Sequence, residues 1–170
     1  MKKTILLGIG CALIGSFAFG DIAPLNPQPP RQLTPLNTAT AHKKKFTWLD
    51  SFEAAQKEAE KSKLPIFALF TGSDWCPWCV KLHNEVLESK EFKKYAKENL
   101  VLFIADFPQS KKISDKVKRQ NQKLAKDYGV RGYPTVLLID AEGKELARTG
   151  YKQGGGKPYV EHLKSLLEKK

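Results

Sequence analysis

Two cysteines three residues apart, in Trp75-Cys76-Pro77-Trp78-Cys79, have the spacing at which a disulfide forms and reopens when the first of them begins a helix. Redox exchange is the chemistry this geometry offers. Leu64 to Phe70, ahead of the pair, is an apolar block of strand length, and Val80 to Leu87, after it, has the apolar spacing of a helix. Cys76 is therefore placed on a strand-to-helix turn. Pro77 suits the first helical turn, where its missing N–H would have had no intrahelical partner, and this leaves Cys76 at or beside the N-cap. Free amides and the positive end of the helix dipole stabilise a thiolate there; in comparable motifs the thiol pKa falls from about 8.5 to roughly 3.5–7.5. Cys76 is expected to be the nucleophile, exposed at the helix start. Cys79, one turn further in and more buried, is expected to be the resolving thiol.

Other uses of the pair can be weighed on spacing. A c-type haem site needs a histidine directly after the second cysteine, and that position is Val80. A structural zinc site needs four ligands, whereas the remaining cysteine is Cys11. His83 lies four residues after Cys79 and seven after Cys76, so the three could share a helix face. A copper- or zinc-handling site is the alternative of a different class, set against a plain packing or surface role for His83. An inert structural disulfide is weakly motivated, because closing only four residues removes little unfolded-chain entropy. The expectation is no metal and no organic cofactor, with the redox-active disulfide Cys76–Cys79 as the working group.

The elements around the pair follow from local signals. Asp50 with Glu53 reads as a capping box for a first helix ending near Lys63. A strand from Pro65 to Phe70 and the cysteine helix follow, and Ser89 caps a further helix through Glu98. Leu100 to Asp106 is a second continuous apolar run, as in a strand covered on both faces. A polar helix from Ile113 to Tyr128 ends at Gly129. Tyr133-Pro134-Thr135 opens a third strand through Ile139, Asp140 to Gly143 is a turn, Glu145 to Arg148 its hairpin partner, and Tyr159 to Leu167 a closing amphipathic helix. This order predicts an α/β domain, a central mixed sheet with helices on both sides.

Three segments are expected along the chain. Lys2 and Lys3 precede an uncharged, mostly apolar run to Phe19, and Ala18-Phe19-Gly20 has small residues where a signal peptidase reads, so 1–20 reads as a cleaved signal peptide and the product as exported, in the periplasm or its equivalent. An uncleaved anchor is the alternative, limited by a run shorter than the roughly 20 residues of a spanning helix. Residues 21–45 hold five of the ten prolines and no regular apolar period, the composition of an extended linker. Residues 46–170 are enough for one hydrophobic core and too few for two. The net charge of +11 raises nucleic-acid binding, but export and the interleaving of Lys with Glu argue against it and favour acidic partners or anionic membranes.

From about Trp48 onward the chain resembles the thioredoxin superfamily. The resemblance rests on the Trp75–Cys79 motif, the strand before it, Tyr128-Gly129-Val130-Arg131-Gly132-Tyr133-Pro134-Thr135, and the closing hairpin and helix with Gly150. Thr71-Gly72-Ser73-Asp74 is similar to small exported Dsb-type proteins. The resemblance implies a thioredoxin-like fold, a cis Pro134 facing the disulfide, and a Tyr133 backbone offered to an extended substrate. Trp75 and Trp78, aromatic residues flanking the pair, are expected to touch substrate together with Pro77, with simple packing as the alternative for the tryptophans. One departure stands out: the buried acid that thioredoxin carries six residues before its first cysteine is Phe70 here. The implied activity is thiol–disulfide exchange with exported cysteine-containing proteins. The strongly oxidising relatives carry a large helical insertion, and the isomerases add a dimerisation domain. Phe107 to Pro134 has room for one helix, so a monomeric reductase fed by a membrane thiol donor is favoured, with a dithiol oxidase as the alternative.

Overall fold

The computed structural model describes residues 46–168, so the expected signal peptide (1–20), linker (21–45) and Cys11 lie outside the described residues. A two-residue strand β1 (Trp48–Leu49) leads into helix α1 (Phe52–Ser62) and strand β2 (Ile66–Thr71). Helix α2 (Pro77–Leu82) continues into a π-helical turn (His83–Leu87), then helix α3 (Lys90–Asn99) and strand β3 (Val101–Asp106). Helix α4 (Asp115–Asp127), the hairpin β4 (Thr135–Ile139) and β5 (Glu145–Thr149), and helix α5 (Gly156–Glu168) complete the order.

The strands form one sheet in the order β1-β3-β2-β4-β5. β1, β3 and β2 are parallel, while β4 and β5 run antiparallel to their neighbours, which makes the sheet mixed. Alternation along β2 sends Phe67 and Leu69 to one face and Ile66, Ala68 and Phe70 to the other. The first face packs against α2, the π turn, α3 and α5 through Leu82, Val86, Phe92 and Tyr159. The second packs against α1 and α4 through Ala55, Ala59 and Leu124. A central β2 buried on both faces is why its sequence is continuously apolar.

Boundaries differ from expectation where two signals compete. The cap of α1 is Ser51, not Asp50: Ser51 is in extended backbone and its hydroxyl accepts the Ala54 N–H at 3.3 Å, while Glu53 pairs with Lys57 instead of closing a capping box. The helix after the cysteines is not α-helical to Leu87. The Glu88 N–H bonds the His83 carbonyl at 3.0 Å, and this wider turn brings the adjacent Val86 and Leu87 both into the core. β1 is too short to show alternation in sequence. α5 begins at Gly156, three residues before Tyr159, because its first turn is glycine, lysine and proline rather than an apolar stripe.

The start of α5 lies tightly on the cap of α3, where a Cβ at Gly156 would run into the Ser89 side chain. Gly156→Ala is therefore expected to destabilise the domain by about 1–3 kcal/mol through overpacking. The check is a shift of the urea midpoint at unchanged slope; an unshifted midpoint would show that α5 is free to move away.

Candidate active site

β2 ends at Thr71, and residues 72–75 carry the chain to Cys76, the N-cap of α2 in extended backbone (φ −91°, ψ 108°). Pro77 occupies the first turn, as its fixed φ favours. The Cys79 N–H donates to the Cys76 Sγ at 3.3 Å, and the Cys76 carbonyl accepts from both Cys79 and Val80 at 3.1 Å. The two sulfurs are bonded, with Cα atoms 5.2 Å apart. Burial does not separate them: each is 4% exposed, which corrects the expectation of an exposed Cys76 and a more buried Cys79. The loop at Tyr133 closes over the pair, and the Tyr133 carbonyl oxygen lies 3.7 Å from the Cys76 Sγ. What distinguishes the cysteines is position, Cys76 outside the helix facing free amides and Cys79 within it.

The Tyr133–Pro134 peptide bond is cis. The Tyr133 ring packs against Phe107 (centroids 5.1 Å) and edge-on to Trp75 (5.9 Å), and burial raises its phenol pKa. The Trp75 indole N–H donates to the Phe107 carbonyl at 2.8 Å, and a Cβ at Gly72 would strike its ring. Trp75 is thus packed and hydrogen-bonded while 41% exposed. Trp78, 57% exposed, lies against Tyr151 at 5.6 Å, with the Lys81 ammonium over both rings at 5.4 and 5.3 Å. Among the described residues the exposed large apolar side chains are Trp75, Trp78 and Val80, all beside the disulfide.

His83 does not join the cysteines. It is exposed, with Nε2 3.7 Å from a Glu88 carboxylate oxygen, and among the described residues no group of three or more His, Cys, Asp or Glu is arranged to hold a metal ion. Sequence reasoning missed Asp74, Asp106, Lys81, Glu85, Phe107 and Tyr151 as parts of the site. Asp74 had a visible signal, an acidic residue two before the first cysteine. Tyr151 had none, since its contacts come from a remote loop.

A model of thioredoxin-like domains matches residues 52–155. The chain belongs to the thioredoxin-like family. It is 42% identical over 119 residues to the disulfide bond reductase DsbH of Chlamydia pneumoniae, covering 70% of this chain and 72% of that protein. A solved structure of a DsbH oxidoreductase superposes with a TM-score of 0.70 at 38% identity, over 87% of this chain and 96% of that one. The thioredoxin-related protein DsbJ of Chlamydia pneumoniae is 33% identical over 105 residues; the match spans 62% of this chain but only 30% of DsbJ. In this thioredoxin-like domain the position of the family's buried acid is filled by Phe70, fully buried between α1 and α4.

The ledge beside Trp78 has a measurable signature. The Tyr151 hydroxyl donates to a Glu85 carboxylate oxygen at 2.5 Å, and chiefly for that reason its pKa is pushed up to about 12. The folded value lies above the unfolded one of about 10, so the stability this bond adds is complete below about pH 10 and lost as pH rises toward about 12. Glu85→Gln is expected to move one phenol ionisation down toward about 10 in an ultraviolet titration. Superimposable titrations of variant and parent would show that the bond does not hold the phenol in solution.

Proposed function

We propose that this protein is an exported thiol–disulfide oxidoreductase working as a protein-disulfide reductase. The observation that carries the reading is the bonded Cys76–Cys79 pair at a helix start in a chain 42% identical to a disulfide bond reductase. The connection between β3 and β4 holds α4 alone, with no large helical insertion of the oxidising type. The exposed Trp75, Trp78 and Val80 fit apolar segments of unfolded cysteine-containing partners. The leader read from 1–20 supports a periplasmic or equivalent location, and a membrane thiol donor supplies electrons there.

The chemistry needs only the two thiols. In the reduced protein, the Cys76 thiolate attacks one sulfur of a substrate disulfide; that S–S bond breaks, the departing substrate thiolate takes a proton, and a mixed disulfide forms. Cys79 then loses its proton and attacks the Cys76 Sγ. The second substrate thiol leaves, and the Cys76–Cys79 bond forms as two electrons pass to the substrate. A dithiol donor resets the pair. Cys76 and Cys79 are the catalytic residues of this scheme, and Trp75, Pro77, Trp78, Tyr133 and Pro134 form the substrate-binding rim. Tyr133 offers its backbone to an extended chain.

Reduced protein is expected to reduce insulin disulfides with dithiothreitol as donor and to oxidise a reduced unfolded substrate poorly. Cys76→Ser should abolish exchange, and Cys79→Ser should accumulate mixed disulfides through Cys76. Iodoacetamide should label Cys76 ahead of Cys79. A reduction potential against glutathione near the roughly −120 mV of strong oxidants, with rapid substrate oxidation, would overturn the reducing direction in favour of a dithiol oxidase.

A further inference from the structure

The loop carrying Cys76 is tied to the loop after β3 by two carboxylates that reach in opposite directions. Asp106, at the end of β3, accepts the Ser73 N–H at 2.9 Å and the Ser73 hydroxyl at 2.6 Å. Asp74 accepts the backbone N–H groups of Gln109, Ser110 and Lys111 at 3.0, 2.7 and 3.1 Å. The Phe107 peptide is pinned from both sides: its N–H donates to the Thr71 carbonyl at 2.8 Å, and its own carbonyl accepts the Trp75 indole N–H at 2.8 Å. The Phe107 ring in turn packs on Tyr133, whose carbonyl oxygen is 3.7 Å from the Cys76 Sγ. These contacts close a circuit from Cys76 through loop 72–75, Phe107 and Tyr133 back to Cys76.

The two sides of Cys76 oppose each other chemically. The Cys79 N–H and the other helix-start amides favour a thiolate, whereas a carbonyl oxygen beside the sulfur accepts from S–H and repels S⁻. Three backbone donors, Gln109 first, hold the Asp74 carboxyl below the usual carboxylate range, so it stays ionised and bound at neutral pH. Resting on the reading that Cys76 is the attacking thiol, we propose that Asp74 is a positioning residue: it clamps loop 107–111 so that Phe107 keeps the Tyr133 carbonyl against Cys76, which restrains thiolate formation and keeps the pair reducing. A reduced form with a less stable thiolate is the stronger reductant.

The other ionisable groups around this end of the sheet are Asp106, Lys111 (Nζ 3.5 Å from the Ser73 hydroxyl), the Tyr133 phenol and, along α2, Lys81. The test leaves all of them in place. Asp74→Ala, Asp74→Asn and Phe107→Leu are compared with the parent by the pH profile of Cys76 alkylation with iodoacetamide and by the dithiol–disulfide equilibrium with glutathione. Asp74→Ala is expected to raise the alkylation rate near pH 6 by about threefold or more and to move the equilibrium toward the dithiol by a similar factor. Phe107→Leu should act in the same direction with every carboxylate intact, and it decides the matter alone if Asp74→Ala does not fold. Asp74→Asn, which keeps an accepting oxygen, should shift less. Unchanged profiles and equilibria in Asp74→Ala and Phe107→Leu, even with lower melting temperatures, would reduce the clamp to a purely structural feature. A shift in Asp74→Ala with none in Phe107→Leu would assign the effect to the lost charge and overturn the clamp. Either outcome leaves the reductase reading to be judged by insulin reduction and substrate oxidation with the parent protein.

Discussion

β2 is paired along both edges, with β3 in parallel and β4 in antiparallel register, and each of its faces is covered by helices. All six of its residues are buried. Each large apolar side chain buried there contributes about 1.5–3 kcal/mol, so the strand end at Thr71 is a fixed point from which residues 72–76 must turn. The reactive geometry depends on that fixed point. Cys76 keeps its extended backbone, and its sulfur meets the Cys79 N–H, because neither the strand before it nor the helix after it can slide. β4 pairs with the other edge of the same strand, Thr135 opposite Phe70, which is how the Tyr133 carbonyl arrives opposite the sulfur.

The protein lining of the pair is otherwise sparingly polar. Among the described residues the buried polar side chains are Thr71 and Asn121, and Asn121 is spent on the Asp106 carbonyl at 2.9 Å. Phe70 fills the space a carboxylate would need. In the proposed scheme, release of a substrate from the mixed disulfide requires Cys79 to lose a proton, and water or the departing thiolate is left to receive it. Charge on the Cys76 sulfur is then set by backbone: amides on the helix side favour it and a carbonyl on the Tyr133 side opposes it. Backbone groups are fixed by packing, so the reactivity of the cysteines reports on how tightly the surrounding loops are held.

The parts of this arrangement visible in sequence are those encoded by neighbours along the chain. The continuous apolar runs of β2 and β3, the Pro77 helix start, the Ser89 cap and the left-handed Gly129 (φ 59°) each carry a local signal, and each stands at or directly beside the place that signal gave it. Where two candidates lay side by side, as with Asp50 and Ser51, the cap depended on backbone direction that composition does not record. The π turn was illegible because a single extra residue leaves the apolar spacing nearly helical. Equal burial of the two cysteines was also illegible, since the cover over Cys76 comes from Tyr133, 57 residues away. The same holds for Asp74: its type and place were visible, but its partners at 109–111 were not.

The two flanks of the disulfide are held by different physics. On the Trp75 side the loops are joined by hydrogen bonds to carboxylates, which fix peptide groups and leave little freedom. On the Trp78 side the contact is aromatic: Trp78, Lys81 and Glu85 rise along α2 and the π turn and engage the single side chain of Tyr151 by ring packing, cation–π contact and hydrogen bond. The chain reaches that point from β5 through Gly150, where a Cβ would press to 3.0 Å from the Pro134 carbonyl, and leaves it through Gly154 and Gly155 at positive φ. An exposed tryptophan braced in this way loses less freedom when a partner covers it than a free one would, so more of the buried area appears as affinity. Under the proposed function, the polar flank suits control of the sulfur, and the aromatic flank suits contact with the chain that brings a disulfide to it.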